Sequence, residues 1–313
     1  MRIEKLPLAF LQALPVLKQI QAAGYEAYFV GGSVRDLLLS KKPHDVDIAT
    51  SAYPAEIKQI FKRTVDTGIK HGTVTVLLNR HSYEITTFRT ESGYQDFRRP
   101  DKVTFVRSLK DDLKRRDLTI NAFAMDVSGQ VIDLFNGLAD LQQGVIRAVG
   151  DPPARFHEDA LRMMRAVRFA SQLDFAIEPQ TLTAIKQNAP LLQKIAVERI
   201  HEEWRKLLLG KSVKSGLQPF IQTGLYQYCP QMAAYQAALQ QLTALPQLKF
   251  TSAAAAWGLC TYLAHMPEMS SENFLNAWKC TNALIQETLL IFKALKKLML
   301  ERNLTQLEVY DFG

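Results

Sequence analysis

The chain contains 313 residues, 47% of them hydrophobic and 22% charged, and its formal net charge is +7. This is the composition of a soluble globular protein long enough for two or three domains, and the basic excess is compatible with nucleic acid without being diagnostic of it. The cysteines form no Cys-x-x-Cys pair, which argues against a zinc site or disulfide framework and favours a reducing cytoplasm. The chain lacks signal-peptide features and any apolar run long enough to span a bilayer, so we expect a cytoplasmic protein with no membrane partner.

Residues 1–150 combine helical and strand-like patterns, which predicts a mixed α/β domain. Apolar residues at helical spacing, a glycine stop and a proline at a helix start predict helices over 8–23, 34–39 and 54–61. Runs rich in β-branched and aromatic residues predict strands over 25–30, 44–50, 73–78, 82–88, 122–127 and 131–134. The polar, aromatic and charged segment 90–101 is predicted to be a mobile loop.

The pattern changes after a Gly-Asp-Pro-Pro segment at 150–153. Helical periodicity dominates from residue 153 to the end, and no further strand is predicted, so we place a domain boundary near residue 150. The expected fold is therefore an α/β head, with a mixed sheet and helices, followed by all-α domains.

A glycine pair and two aspartates form the most informative stretch. Gly31 and Gly32 follow a predicted strand and open a predicted helix, so their backbone N–H groups suit a phosphate. Asp45 and Asp47 stand two apart on a predicted strand, which puts both carboxylates on one face, where they suit a hard divalent cation such as Mg²⁺. Each feature alone is common in structural turns and on solvated surfaces. Together they favour a site for a metal and a nucleoside triphosphate.

Other charged residues of the first domain are candidates for the same site. Glu84 lies on a neighbouring predicted strand and would be a third carboxylate, although a salt bridge or simple exposure explains it equally well. A basic run ends at Arg116 and Asp117 before an apolar helix-like turn, and part of it is expected to point inward, where an arginine fork grips phosphate. Side chains of the predicted loop either stack on RNA bases or are ordinary loop residues; these are Tyr94, Phe97, Arg98 and Arg99.

A charged stripe is predicted on a helix of the second half. Asp159, Arg162, Arg165 and Arg168 recur every third residue beside apolar positions. An amphipathic helix with one ion pair would explain an isolated segment, but three arginines exceed what one aspartate needs. An aspartate acceptor next to an arginine donor matches the hydrogen-bonding edges of cytosine and adenine and mispairs with uracil and guanine, which favours a role in reading a base.

The ordered set of motifs resembles a known family. The segments GGSVRD, HDVDIAT, EITTFR, ESGYQDFRRP, KRRDLTINAFAMD, IDLFNG and RFHEDALRMMRAVRFA are similar to those of bacterial class II tRNA nucleotidyltransferases, the CCA-adding enzymes. The resemblance is dense over residues 25–225. It implies a polymerase-β-like nucleotidyltransferase head over 1–150, a helical neck that recognises the base over 151–224, and a helical tRNA-binding body over 225–313. The family's tail domain is expected to be absent or shortened.

The resemblance also implies roles for individual residues. Asp45 and Asp47 would hold Mg²⁺, with Glu84 as a further catalytic candidate. The other implied nucleotide contacts, to triphosphate, base, sugar or neighbouring phosphate, are Gly31, Gly32, Arg35, Arg116, Asp117, Asp159, Arg162, Arg165 and Arg168, with Glu158 orienting the base-reading pair. The loop over 90–100 would help the site switch from C to A.

The implied activity is template-independent addition and repair of the tRNA 3′-terminal CCA from CTP and ATP by two-metal nucleotidyl transfer. The partners would be the tRNA 3′ end and acceptor stem, and a homodimer is compatible with the sequence. A poly(A) polymerase shares nearly all head motifs and stays an alternative. A tRNA-binding module that has lost catalysis is another, against which the intact Asp45, Asp47 and Arg116 speak.

Overall fold

The computed structural model describes residues 1–43, 45–95, 99–246 and 248–302, apart from the side chains of 92–95, 99–102 and 299–302. These residues form two compact units. The first comprises residues 1–95, 99–143 and 147–151, and the second comprises residues 144–146 and the described part of the chain from residue 152 onward.

Short strands and short helices alternate in the first unit. Its strands are β1 (Ala27–Val30), β2 (Ile48–Thr50), β3 (Thr64–Gly68), β4 (Thr73–Leu78), β5 (His81–Thr87), β6 (Arg89–Gln95), β7 (Arg99–Phe105), β8 (Phe123–Met125) and β9 (Val131–Asp133). Its helices are α1 (Leu8–Ala22), α2 (Gly32–Leu38), α3 (Pro54–Ile60), α4 (Leu109–Lys114) and α5 (Gly137–Gln143).

Seven strands form one sheet in the order β3-β4-β5-β2-β1-β8-β9. Neighbouring strands are antiparallel except β2 and β5, which run parallel, so the sheet is mixed, as the sequence predicts. The register aligns Phe29 of β1 with Ile48 of β2, and Ile48 with Ile85 of β5. Strand β1 ends directly before the predicted glycine turn at Gly31, and strand β2 begins directly after Asp47.

Apolar side chains cover both faces of the sheet. On one face α1 buries a stripe at helical spacing, and its Phe10 ring meets Phe29 edge-on with ring centroids 4.9 Å apart. Side chains alternate along a strand, so Val30 points the other way, where it packs with Phe88 and with Leu113 of α4. The helix that contains Leu113 therefore covers the second face.

Strands β4 and β5, which correspond to the strands predicted over 73–78 and 82–88, form a hairpin. Asn79 and Arg80 form its two-residue turn with φ values of 51° and 66°, the left-handed conformation that matches the twist of the strands. Strand β3 is not predicted by the sequence; its side chains are mostly exposed, so it lacks an apolar alternation.

The prediction of a mobile loop over 90–101 is wrong. Strands β6 and β7 form an antiparallel hairpin in which Arg89 pairs with Phe105 and Gln95 with Arg99. A two-stranded ribbon outside the main sheet needs no apolar face of its own, and its sequence therefore lacks the alternation that indicates a strand. Phe97 and Arg98, which we predicted as candidate RNA contacts, lie outside the described residues.

The second unit is predominantly helical. It contains two short strands that pair in parallel, β10 (Val145–Ile146) and β11 (Ala176–Ile177), and β11 contradicts the expectation of no strand beyond residue 150. Two residues are too few to show a period in the sequence. Its helices are α6 (Pro152–Glu158), α7 (Leu161–Leu173), α8 (Pro179–Asn188), α9 (Val197–Leu208), α10 (Val213–Gln222), α11 (Gln236–Ala244), α12 (Ala253–Leu263), α13 (Glu268–Ala277) and α14 (Asn282–Arg302).

Aromatic side chains form much of the core of the helical unit. Trp204, Trp257 and Trp278 are fully buried, and their ring centroids lie 5.1–6.2 Å from one another. Phe220 packs on Trp204 and Phe274 on Trp257, which joins helices α9, α10, α12 and α13. Within the described parts of the chain, no helix has the length and hydropathy that crossing a bilayer requires.

Candidate active site

The two predicted metal-binding aspartates lie directly before β2. The strand predicted over 44–50 begins only at Ile48, so its first half is wrong, although the Val30 N–H still donates to the Asp47 carbonyl oxygen at 3.0 Å. Asp45 and Asp47 are exposed, Val46 is half-buried and Ile48 is buried. The alternation that the sequence predicts therefore holds, and it puts both carboxylates on the same side of the segment.

Glu84 lies beside this pair. The parallel register of β2 and β5 aligns Ile48 with Ile85, and the preceding residues of each segment, Asp47 and Glu84, fall on the opposite face. A cavity of about 600 Å³ is lined by Asp45, Asp47 and Glu84 together. Sequence reasoning placed Glu84 near the pair, and the structure brings all three carboxylates to one cavity.

The electrostatics of the cavity point to a cation. Loss of water around Asp47 raises the pKa of its carboxyl group, and the charges of Glu84 and Asp45 raise it further, while Arg116 lowers it. Asp47 is exposed at the level of the whole residue, so the desolvation comes from the walls of the cavity around a carboxylate that still reaches solvent. A divalent cation relieves this crowding of like charges.

The donor set fits a magnesium-type ion. Among the described residues, no group of three His, Cys, Asp or Glu side chains forms a complete metal cage. Asp45 and Asp47 would hold the ion as a pair of carboxylates. Mg²⁺ is characteristically bound by one or two carboxylates together with substrate phosphate oxygens and water, so an incomplete protein shell fits this ion.

Gly31 allows an arginine to approach the backbone. It adopts φ +69°, and a Cβ atom there would lie 2.7 Å from Nη1 of Arg116. A side chain at position 31 would therefore displace the guanidinium as well as strain the backbone. Next to it, Gly32 has the guanidinium of Arg35 at 3.5 Å from its own ideal Cβ position. The glycine pair and the two predicted phosphate-binding arginines thus come together.

Asn121 connects the predicted arginine and aspartate. Its side-chain oxygen accepts a hydrogen bond from Arg35 Nη1 at 2.5 Å, and its amide nitrogen donates to Asp117 Oδ1 at 3.1 Å. Asp117 also accepts from the Leu118 N–H, which fixes the turn that the sequence predicts over this segment. Asp117 therefore acts on Arg35 through Asn121, whose role the sequence reasoning missed.

Arg116 is held at the centre of this arrangement. Its Nη1 donates to the Asn121 carbonyl oxygen at 3.3 Å and its Nη2 to Asp112 Oδ2 at 3.2 Å. Its Nε is buried and finds no hydrogen-bond partner among the described residues. The guanidinium thus keeps donor capacity beside the glycine turn and within electrostatic reach of Asp47.

The continuous helix predicted to carry Asp159 and three arginines is wrong. Helix α6 ends at Glu158 and α7 begins at Leu161, so Asp159 lies between them. Its carboxylate accepts from the Leu161 N–H at 3.0 Å and pairs with Arg199 at 2.9 Å. A short polar side chain that accepts a backbone N–H at a helix start competes with helix continuation, which explains the break.

Two of the predicted arginines are buried against glutamates. Arg162 pairs with Glu158 at 2.7 Å. Arg168 pairs with Glu203 of α9 at 2.5 Å and its guanidinium lies 3.7 Å from the Phe169 ring centroid. Both arginines are 7% exposed and not on a solvated stripe.

Arg165 is half-buried and lies 3.9 Å from the same Glu203. Glu203, which lies on α9, is thus the acidic partner of these arginines that a count of charges along α7 alone could not identify. Its partner Arg168 is 35 residues away in the chain, and Arg199 is 40 residues from Asp159, so local spacing gave no signal for either pair. Asp112, by contrast, stands three and four residues before Arg115 and Arg116, a helical spacing that predicts ion pairs.

Three family profiles match successive parts of the chain. A family profile described as "Poly A polymerase head domain" matches residues 27–147, and one described as "Probable RNA and SrmB-binding site of polymerase A" matches 174–236. A tRNA nucleotidyltransferase domain 2 profile matches residues 248–313.

Curated relatives and solved structures carry a common description. A CCA-adding enzyme of Enterococcus faecalis is 57% identical over 313 residues, which is 100% of this chain and 77% of that protein. One from Ligilactobacillus salivarius is 60% identical over 91% of this chain and 71% of its own length. The crystal structure of the Bacillus stearothermophilus CCA-adding enzyme with CTP has a TM-score of 0.85 at 45% identity, covering 93% of this chain and 71% of that one. The Thermotoga maritima enzyme complexed with tRNA has a TM-score of 0.70 at 25% identity, covering 96% and 74%.

Proposed function

The chain belongs to the family of CCA-adding enzymes, and on that premise we propose that it completes tRNA by adding C, C and A to the 3′ end. It is a nucleotidyltransferase that uses CTP and ATP without a template and releases pyrophosphate. The observation that carries the proposal is the Asp45–Asp47 pair in one cavity with Glu84, within electrostatic reach of an arginine at a glycine turn. This combination suits a triphosphate and an attacking hydroxyl.

In each step the terminal 3′-hydroxyl oxygen attacks the α-phosphorus of the nucleotide. A new phosphodiester bond forms, the bond to the β-phosphate oxygen breaks, and pyrophosphate leaves. The family uses divalent metal, and we assign Mg²⁺ to Asp45 and Asp47. When bound, the metal would lower the pKa of the attacking hydroxyl and neutralise charge on the triphosphate. Glu84 raises the pKa of Asp47 and so acts on the same carboxylate.

We assign the triphosphate to the glycine turn. Gly31 and Gly32 leave space for the guanidinium groups of Arg116 and Arg35, and an arginine fork pairs with two phosphate oxygens at once. Asn121 holds Arg35 and is itself held by Asp117. Asp117 is therefore a positioning residue in this proposal.

We assign base reading to the junction between α6 and α7. An aspartate acceptor and an arginine donor at Asp159 and Arg162 match the edges of cytosine and adenine and leave uracil and guanine with unpaired groups. Glu158 orients Arg162 through their ion pair. Arg165 and Arg168 carry the predicted contacts to sugar or phosphate, and their pairing with Glu203 would fix where those contacts are made.

The assigned domains are a head over 1–150, a neck over 151–224 and a body over 225–313. We assign the enzyme to the cytoplasm, where its tRNA substrate would be found. Its cysteines, Cys229, Cys260 and Cys280, are free and buried.

The proposal is tested with a tRNA transcript that lacks its last three nucleotides, incubated with Mg²⁺ and defined nucleotides. Products are resolved at single-nucleotide length. We expect two additions with CTP alone and a third only when ATP is also present. A long ladder with ATP alone would instead identify a poly(A) polymerase, and tRNA binding without any product would identify a binding module.

Base reading has its own test. Asp159→Ala should relax the preference for CTP and ATP over UTP and GTP in a nucleotide-competition assay. Arg205→Ala, which alters an exposed ion pair on α9, is the matched control and should leave the preference unchanged. If Asp159→Ala keeps the full preference, the junction between α6 and α7 has only a structural role.

A further inference from the structure

A chain of ion pairs links the β6–β7 hairpin to Arg116. Arg89 and Glu91 on β6 pair at 2.8 Å, and Glu91 also pairs with Arg115 at 3.3 Å. Arg115 then pairs with Asp112 of α4 at 2.7 Å, and Asp112 pairs with Arg116 at 3.2 Å. The charges alternate without interruption from the base of the hairpin to the guanidinium at the glycine turn.

Asp112 is the shared acceptor of this chain. Its side chain is 1% exposed, and its two oxygens are divided between neighbours. Oδ1 accepts from Arg115 and from the Arg89 backbone N–H, whereas Oδ2 accepts from Arg116. One buried carboxylate therefore fixes both the backbone at the start of the hairpin and the guanidinium of Arg116.

The burial of Asp112 makes this connection stiff. The pKa of its carboxyl group is lowered because the charges and hydrogen bonds of Arg115 and Arg116 outweigh the opposing effect of burial. The carboxylate accordingly stays ionised at neutral pH. Leu113, the next residue, is fully buried against the sheet, so α4 cannot rotate to release Asp112 without exposing apolar surface.

Arg116 has few other anchors. On the side away from Asp112 it donates to the Asn121 carbonyl oxygen at 3.3 Å, and its Nε has no partner among the described residues. A guanidinium that is held by one buried carboxylate and whose hydrogen-bonding capacity is not filled by the described residues is preorganised to bind an anion.

We propose that Asp112 is a positioning residue that holds Arg116 for the incoming triphosphate. Through Arg115 and Glu91, Asp112 also makes the strength of nucleotide binding depend on whether the β6–β7 hairpin stays paired with Arg115. This inference rests on the proposed nucleotide-binding role of Arg116. It assigns no contact between Asp112 and the nucleotide.

The test measures the dissociation constant of CTP in the absence of tRNA, where no turnover occurs. Asp112→Asn keeps the size of the side chain and removes its charge, and should weaken CTP binding about tenfold, the typical effect of losing one hydrogen bond to a charged group. Asp111→Asn, on the exposed side of the same helix, is the matched control and should leave CTP binding unchanged.

A double-mutant cycle separates positioning from general damage. If Asp112 acts through Arg116, Asp112→Asn should have little further effect in an Arg116→Ala background. Equal weakening of CTP binding in both backgrounds would overturn the proposal. If Arg116→Ala alone leaves CTP binding unchanged, the assigned role of Arg116 in the proposed function is wrong, which is a distinct result.

Glu91→Gln provides the second variant. It breaks the link to the hairpin but leaves Asp112 and Arg116 paired, and it keeps the test valid if Asp112→Asn does not fold. We expect CTP binding to weaken about two- to fivefold, again only while Arg116 is present. Unchanged CTP binding in Glu91→Gln would remove the hairpin from the proposal.

Discussion

At the scale of single residues, the ionised carboxylate of Asp47 is disfavoured by its surroundings in the folded chain. The raised pKa of Asp47 means that the folded chain favours the protonated form. Stability from such a group is present below the unfolded pKa and is lost as the pH rises through the folded pKa. At neutral pH the ionised Asp47 therefore destabilises the fold while no cation is bound.

Asp47→Asn should abolish nucleotide addition and yet raise the melting temperature at pH 7. We expect a gain on the order of 1–2 °C, because an exposed carboxylate is strongly screened by solvent. Calorimetry without divalent cations at several pH values measures the gain, which should shrink as the pH is lowered towards the ordinary value of 3.8. The surface variant Asp111→Asn should show no such gain. A lower melting temperature for Asp47→Asn at pH 7 would contradict this account.

Residue types and spacing predicted the residues at the centre of the candidate site but not the residues that support them; the roles of the central residues stay a prediction. Asp45, Asp47 and Gly31 were identifiable because a paired carboxylate and a glycine turn have a chemical meaning within one short segment. Asn121 and Asp112 were missed although their spacing from Asp117 and Arg116 carried a signal. The pairs that involve Glu203 and Arg199 depend on how distant helices pack, and no local pattern encodes that.

At the scale of elements, α7 and α9 are joined by a buried ion pair. Arg168→Ala would leave the Glu203 carboxylate, which is 6% exposed, without its nearest partner. We expect a loss of about 3 kcal/mol in the free energy of unfolding, at the lower end for a broken buried pair because Arg165 still lies 3.9 Å away. Urea denaturation measures the loss.

Arg205→Ala is the matched control for this pair. It removes an exposed partner of Glu202, whose pKa is lowered to about 2 chiefly by its hydrogen bond to Arg205, and should cost less than about 1 kcal/mol. Similar losses for Arg168→Ala and Arg205→Ala would show that the buried pair adds nothing specific.

A substitution in the β4–β5 turn is expected to raise the free energy of unfolding. Arg80 adopts φ 66°, a conformation that costs residues with a side chain about 1 kcal/mol and costs glycine little. Arg80→Gly completes an Asn-Gly turn and removes this cost from the folded state. Glycine also raises the conformational entropy of the unfolded chain, which offsets part of the gain, so we expect a net stabilisation of about 0.5 kcal/mol. Thermal unfolding of Arg80→Gly beside Ser82→Gly, which places glycine within β5, tests this, since only the first should gain.

Elements were predictable from the sequence where one face is buried and the other is not. Strand β5 has that alternation and was predicted nearly to its ends. Strand β4, in which three consecutive residues are buried, was predicted instead from its run of β-branched residues. Strand β3 is mostly exposed and was missed, and the two-residue β11 is too short to show any period.

At the scale of the whole molecule, the net charge of +7 and the pI of about 9.2 favour a polyanionic partner. Binding of tRNA should weaken at least tenfold when the salt concentration rises from about 50 to about 200 mM, because each neutralised phosphate releases counterions. Filter binding over a salt series measures the slope. A dissociation constant that is independent of salt would mean that the basic excess does not contact the RNA backbone.

The mixed sheet and the helical remainder were predicted from the change of period along the chain, and they are what the structure shows. The domain boundaries themselves stay a prediction, while the first compact unit ends at Asp151. Fold class follows from repeated local patterns, whereas a boundary depends on contacts between residues far apart in the sequence.

The tryptophan cluster gives the protein a built-in optical label. All three tryptophans of the chain lie in the helical unit, and each is fully buried, so the first unit contributes only tyrosine and phenylalanine. Indole fluorescence excited selectively therefore reports the unfolding of the helical unit alone, while far-UV circular dichroism reports both units. A substitution in the head that shifts the dichroism transition but not the fluorescence transition would reveal that the two units melt separately, without any added dye.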